Sequence, residues 1–308
     1  MSNKQLEKLE KLKSDFEKSA KEEYFQVWDK SYLRVLTFEK KKSSDEEIKI
    51  LFIAGFLTIF PRWEKVIKEL TQNYTVYYVE TREKISSILV KRAGMTIKDM
   101  GKDIASLEKA LDIDNEQYIT ISSSMGGAMI LENLAEKRIS PLGNILFSPG
   151  VELIFPKWAP KITRILPAFG IIMLKPFIRW YIKNKLVDSE KEPEQAKHYT
   201  RSMEEADIRK MRKCIIKNAN KYNGWDLLPK VHDRIILVGA TTDKAHKTEF
   251  SEKVSQGLSN CTFIDLGTSK AAHDTPLVDL TNEFVKELTN RGPVLTTRLL
   301  EQGLKSNE

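Results

Sequence analysis

Apolar residues along this chain recur at two spacings, and the spacing switches at turn residues. Leu6, Leu9, Leu12 and Phe16 stand three or four apart among lysines and glutamates, which predicts an amphipathic N-terminal helix within residues 1–22. Residues 24–28 and 33–38 are rich in aromatic and β-branched side chains. The polar stretch 29–32 joins them, the pattern of a β-hairpin. A charged connection, 40–47, leads into a short apolar strand at 48–54. From there the pattern alternates: strand 74–79, helix 96–111, strand 118–122, helix 126–136 and strand 144–148. Strands 234–239 and 261–266 follow with a helical pattern between them, and helix 277–288 closes the alternation.

Strands alternating with helices of this length predict an α/β chain, a mostly parallel sheet covered on both faces. Residues 151–230 break the alternation and read as helical throughout, so they are expected to form a cap inserted between two core strands. The core then divides into 23–150 and 231–296, with a polar tail at 297–308. Lysines and glutamates interrupt every apolar run in the first thirty residues, and no apolar stretch is long enough to span a bilayer. Cys214 and Cys261 lie far apart without metal-ligand spacing, and are expected as free thiols of a cytoplasmic protein.

The net charge of +7 changes this picture only in one place. Between Lys157 and Val187 there are seven basic residues and no Asp or Glu, so this stretch alone carries a charge equal to the chain's total. Trp158, Phe169, Phe177, Trp180 and many aliphatic side chains are crowded among them. The plainer reading is a cap with its apolar face on the core and its lysines solvated. Peripheral contact with an anionic membrane is the second. Nucleic acid fits poorly, because the cluster is too apolar and no known reading module accompanies it.

The chemistry concentrates at residues 119–128, Ile-Thr-Ile-Ser-Ser-Ser-Met-Gly-Gly-Ala. A strand here runs straight into a helix through a turn tight enough to need small residues two positions either side of its apex, the nucleophile elbow. Ser124 at the apex puts Ser122 and Gly126 in those places, whereas Ser123 would put Ile121 and Met125 there. A serine hydroxyl needs a base to take its proton and an acid to hold that base. Of four histidines, His273 follows the last strand and so shares a rim with the elbow; His232 precedes a strand, at the opposite end. Asp243, just past the preceding strand, is the expected acid, with Asp274 a weaker rival. Donors for a developing oxyanion are expected from the N–H of Met125, at the head of the elbow helix, and of Phe56, after Gly55.

Taken together, Ala54-Gly55-Phe56, Ser124-Met125-Gly126-Gly127, the 239–243 turn and His273 resemble the α/β-hydrolase superfamily, particularly its capped esterase and lipase-like branch. That resemblance implies an eight-stranded, mostly parallel sheet and no metal or organic cofactor. It implies a Ser124–His273–Asp243 triad acting on a carboxylic ester with an apolar part, a small-molecule or lipid-like substrate. Gly55, Leu57, Trp158, Phe169 and Phe177 are then expected along the substrate path. Acyl transfer, thioester cleavage or a non-catalytic ligand-binding role are the alternatives on the same fold. Two places depart from the family pattern. Ala54 stands where a loop-organising histidine is usual, and residues 80–87 (Glu-Thr-Arg-Glu-Lys-Ile-Ser-Ser) replace its Asp-x-x-Gly-x-Gly-x-Ser turn.

Overall fold

The structure is a computed structural model. It describes residues 10, 13–42, 48–114, 117–155, 158–165, 167, 170, 173, 176–177, 180, 207–242 and 248–289. Eight strands form one sheet: β1 (Lys21–Gln26), β2 (Tyr32–Phe38), β3 (Lys49–Ile53), β4 (Thr75–Val79), β5 (Tyr118–Ser123), β6 (Gly143–Phe147), β7 (Ile235–Gly239) and β8 (Cys261–Asp265). Their spatial order is β1-β2-β4-β3-β5-β6-β7-β8. β1 and β2 form the expected hairpin, β2 runs antiparallel to β4, and every later pairing is parallel.

The order reverses beside β3: the chain steps to one side to make β4, then returns to the other side to make β5. The carboxyl ends of β3 and β5 are therefore neighbours at a topological switch point, where open α/β sheets bind ligands. Ile53 pairs with Ser122 at that edge.

Period-two alternation along the strands separates two cores. Leu51, Ile53, Leu146 and Leu237 face one way, onto α3 (Ile97–Ala110) and α4 (Met125–Ala135). Ile50, Phe52, Ile145 and Ile236 face the other way, onto α2 (Glu64–Leu70) and α8 (Thr275–Leu288). The pattern 63-66-67-70 (Trp, Val, Ile, Leu) that builds α2 has helical spacing in the sequence, and this helix is an addition to the elements expected above.

At the N-terminus, the described part of the expected helix is α1 (Asp15–Lys18), whose cap Ser14 accepts the Glu17 N–H at 3.0 Å. The expected 1–22 helix is too long at its end, because Lys21 already pairs with Thr37 in β1. These polar residues carry no strand alternation of their own; ladder hydrogen bonds to β2 hold them extended. Between β6 and β7 runs a long insertion, where the sequence leads one to expect a helical cap. Its described elements are α5 (Trp158–Ile165), α6 (Ile208–Asn218) and a 3-10 turn, Trp225–Lys230. It is not helical throughout, since Glu152 bridges to Asn223 as extended chain. α7 (Thr248–Gln256) separates β7 from β8. Among the described residues no helix is long and apolar enough to cross a membrane.

Candidate active site

Only Ser124 stands between β5 and α4. Its backbone has φ 45° and ψ −114°, a conformation that costs an L residue about 1–3 kcal/mol and persists only where surroundings impose it. Three hydrogen bonds impose it. The Ser124 N–H donates to the Phe147 carbonyl at 2.9 Å, and its carbonyl accepts the N–H groups of Gly150 at 2.8 Å and Ala128 at 3.2 Å. The glycines make the turn possible: a Cβ on Gly126 would strike the Ile53 carbonyl, and one on Gly127 would lie 2.7 Å from Pro149 Cβ. Ser122 takes the place of the first glycine with its hydroxyl buried and unpartnered among the described residues. Sequence and structure agree on Ser124 as the apex.

The loop after β3 closes against this apex. A Cβ on Gly55 would lie 3.2 Å from Ser124 Cβ, and the Gly55 N–H donates to Ser123 Oγ at 2.9 Å. Phe56 comes next, and Leu57 turns the chain at φ 58°, closed by a Thr58 N–H bond to the Gly55 carbonyl at 3.2 Å. Met125 is the first residue of α4, so its N–H has no acceptor within the helix. Phe56 and Met125 both line one apolar pocket.

The two departures from the family pattern meet here. Lys84 Nζ donates to the Gly55 carbonyl at 2.7 Å and pairs with Glu83 at 2.7 Å. Lys84 thus holds the loop that Ala54 has no side chain to organise. Glu83 also accepts from Thr81 Oγ1 at 2.8 Å. From α6, Lys210 Nζ reaches the carbonyls of Lys84 at 2.8 Å and Ser87 at 2.6 Å, caging the same turn from the insertion. Local sequence shows residues 80–87 only as a lost glycine turn; the bracing role needs the tertiary contacts. The alternation of acids and bases in that stretch is its local sign.

The His273 ring stacks on Trp63 at 4.1 Å between centroids and meets Phe147 edge-on at 5.5 Å. Phe147 is also the residue whose carbonyl holds the Ser124 N–H, so both elements rest on one side chain's backbone and ring. His273 Nδ1 lies 2.7 Å from the Ser269 carbonyl, which accepts a hydrogen bond from Nδ1–H and leaves Nε2 the basic nitrogen. Arg62 Nη2 lies 3.3 Å from the same Nδ1 and donates to Ser269 Oγ at 3.0 Å. Trp63, Arg62 and Ser269 were not foreseen, because they reach His273 only through the fold of α2 and the 267–270 turn. Asp243 lies outside the described residues. Asp274 caps α8, accepting the Thr275 N–H at 2.7 Å, and pairs with Lys65, which holds its carboxyl below the usual range.

The pocket is walled by Phe56, Met125, Leu153, Phe155, Cys214 and Ile215. Asn218 also lines it, but its amide is spent on the Met95 and Cys214 carbonyls and on the Ile97 N–H. Burial pushes the Cys214 thiol far up, so it is a wall and not a nucleophile. Of the expected substrate-path residues, Gly55 and Leu57 belong to the loop after β3 and not to the pocket wall. Trp158 and Phe177 are exposed and outside the pocket wall, whose place Leu153, Phe155 and Ile215 take. Phe169 lies outside the described residues. Among the described residues no group of His, Cys, Asp and Glu could hold a metal ion.

No protein-family model and no curated protein matches this sequence. Solved structures do match it. An esterase from Thermogutta terrifontis superposes with a TM-score of 0.65 at 16% identity, covering 87% of this chain and 99% of that one. The enol-lactonase from Burkholderia xenovorans LB400 gives a TM-score of 0.66 at 16% identity over 87% of this chain and 100% of its own. The epoxide hydrolase CorEH gives 0.65 at 14% identity over 88% and 100%.

Proposed function

We propose that this chain, which has the α/β-hydrolase fold, is a serine hydrolase that cleaves carboxylic esters with an apolar acyl or alcohol part. The observation that carries the reading is Ser124, held at positive φ at the head of α4 with the Gly55–Phe56 loop packed against it. In this reading His273 Nε2 takes the Ser124 proton as Oγ attacks the ester carbonyl carbon. Asp243 steadies the resulting imidazolium. The N–H groups of Phe56 and Met125 bind the oxyanion, a contribution that mutagenesis elsewhere places at about 3–4 kcal/mol per donor. Collapse breaks the carbon–oxygen bond to the alcohol, which leaves with the proton from His273. Water then gives a proton to His273 and attacks the acyl-enzyme, and the acid departs as Ser124 recovers its proton. The apolar wall of the pocket lined by Phe56 and Met125 supports an apolar group on the substrate.

Neighbours named as an esterase and a lactonase act on carboxylic ester bonds, which agrees with this choice within the fold. A serine apex favours it over epoxide opening, because that branch attacks with aspartate. The test is labelling with a fluorophosphonate probe and mass mapping of the adduct. A single adduct on Ser124, abolished in His273→Ala and accompanied by turnover of p-nitrophenyl esters, is expected. A folded protein that takes no label, or labels elsewhere, overturns the reading.

A further inference from the structure

Thirteen large apolar side chains are exposed among the described residues, and seven of them fall between 154 and 180. Ile154, Ile165 and Met173 are 72%, 80% and 76% exposed, and Trp158, Phe177 and Trp180 each show about half their surface. A soluble monomer rarely concentrates exposed apolar side chains in this way unless something covers them. In α5, exposed Lys161 and Arg164 alternate with Ile162 and Ile165 on the face left outside. The opposite side is taken by α6, where Arg212 Nη2 donates to the Arg164 carbonyl at 3.0 Å. Phe177 and Trp180 stack at 5.8 Å and stay exposed. No acid falls between 157 and 187 to neutralise seven basic residues.

Two demands therefore have to be met by one partner: negative charge for the lysines and arginines, and an apolar medium for the isoleucines, methionine and aromatics. A phosphate backbone meets the first and offers nothing to the second. The headgroup and acyl boundary of an anionic bilayer meets both, with tryptophan rings at the depth they favour. We propose that the surface carrying Ile154, Trp158, Lys161, Ile162, Arg164 and Ile165, with the Phe177–Trp180 stack, docks this protein on an anionic lipid surface.

Its position suits the site. Phe155, at the start of this segment, walls the pocket and touches the Phe56 ring at 6.1 Å. A bilayer against the segment would lie at the pocket's rim, where an ester could pass from lipid to Ser124. The docking itself does not depend on Ser124 being a nucleophile.

The experiment is co-sedimentation of the full chain with phosphatidylcholine vesicles, with and without phosphatidylglycerol. Binding should be at least roughly tenfold tighter to the anionic vesicles. It should weaken as salt shortens the Debye length from about 10 Å at 0.1 M to about 3 Å at 1 M. Lys161→Glu with Arg164→Glu should abolish the preference, and Trp158→Ala with Phe177→Ala should lower affinity roughly tenfold. All four side chains are exposed, so circular dichroism should show an unchanged fold. Ser124→Ala should bind as the natural chain does, which separates this proposal from the hydrolase reading. Equal affinity for both vesicles, no binding to either, unaltered binding by the tryptophan–phenylalanine variant, or tighter binding to duplex DNA than to anionic vesicles would each overturn it.

Discussion

Lys84 illustrates how one side chain can carry a loop. An ammonium that donates to the Gly55 carbonyl, while paired with a buried Glu83, fixes the peptide unit that carries the Phe56 N–H. A donor displaced by even 1 Å from a developing oxyanion can cost about a hundredfold in rate. Removing Lys84 alone would strand Glu83 as an unpaired buried charge, so the informative variant is Glu83→Gln with Lys84→Met. Its kcat on a p-nitrophenyl ester should fall roughly tenfold to a hundredfold with KM within about twofold, and binding of a boronic acid should weaken in step with kcat. A folded double variant with unchanged kcat would make Lys84 structural only.

One element, the connection from β4 to α3, concentrates the buried charge of this molecule. Arg34 of β2 binds Glu80 through two bonds of 2.9 and 2.7 Å, and also reaches Glu17 and Glu22. Arg82 binds Asp103 of α3 at 2.5 and 2.6 Å and Asp29 of the hairpin turn at 2.6 Å. Burial works to raise the Glu80 carboxyl, but Arg34 outweighs it and holds the group below its ordinary value. A depressed folded pKa adds stability that is fully present above the unfolded value, about 4.3, and lost as pH falls through the folded one. Asp103 has the opposite sign. Burial pushes it up to about 6 despite Arg82, so its contribution favours folding in acid and is lost as pH rises through that value. Glu80→Gln should therefore cost roughly 3 kcal/mol in urea unfolding at neutral pH, with Glu17 and Glu22 left to Arg34. The gap should close as pH falls below about 4. A gap independent of pH would mean packing, and not charge, is what Glu80 supplies.

Across the whole molecule, the pocket forms where two parts of the chain meet. Phe56 comes from the loop after β3 and Met125 from the head of α4, while Leu153, Phe155, Cys214 and Ile215 come from the insertion between β6 and β7. The insertion thus sets the pocket's size while the sheet supplies the apex. Ile215→Trp should fill much of the space from the insertion's side. Relative kcat/KM should shift toward acetyl over hexanoyl esters by roughly tenfold or more, with the fluorophosphonate reactivity of Ser124 retained. An unchanged chain-length profile would mean the acyl group lies elsewhere.

Local pattern was enough to determine the alternation of strands and helices, the hairpin and the elbow at Ser124. Each follows from neighbours in sequence: side-chain period, turn residues, and the space that Gly126 and Gly127 leave. Only the tertiary structure decided the rest. α2 had the spacing of a helix, but its worth as the platform for His273 depends on Trp63 meeting a residue more than two hundred positions away. The bond from Lys84 to Gly55 and the cage from Lys210 join segments that no local pattern connects. Burial made those charges into braces, because an ion removed from water must find its partners wherever the fold brings them.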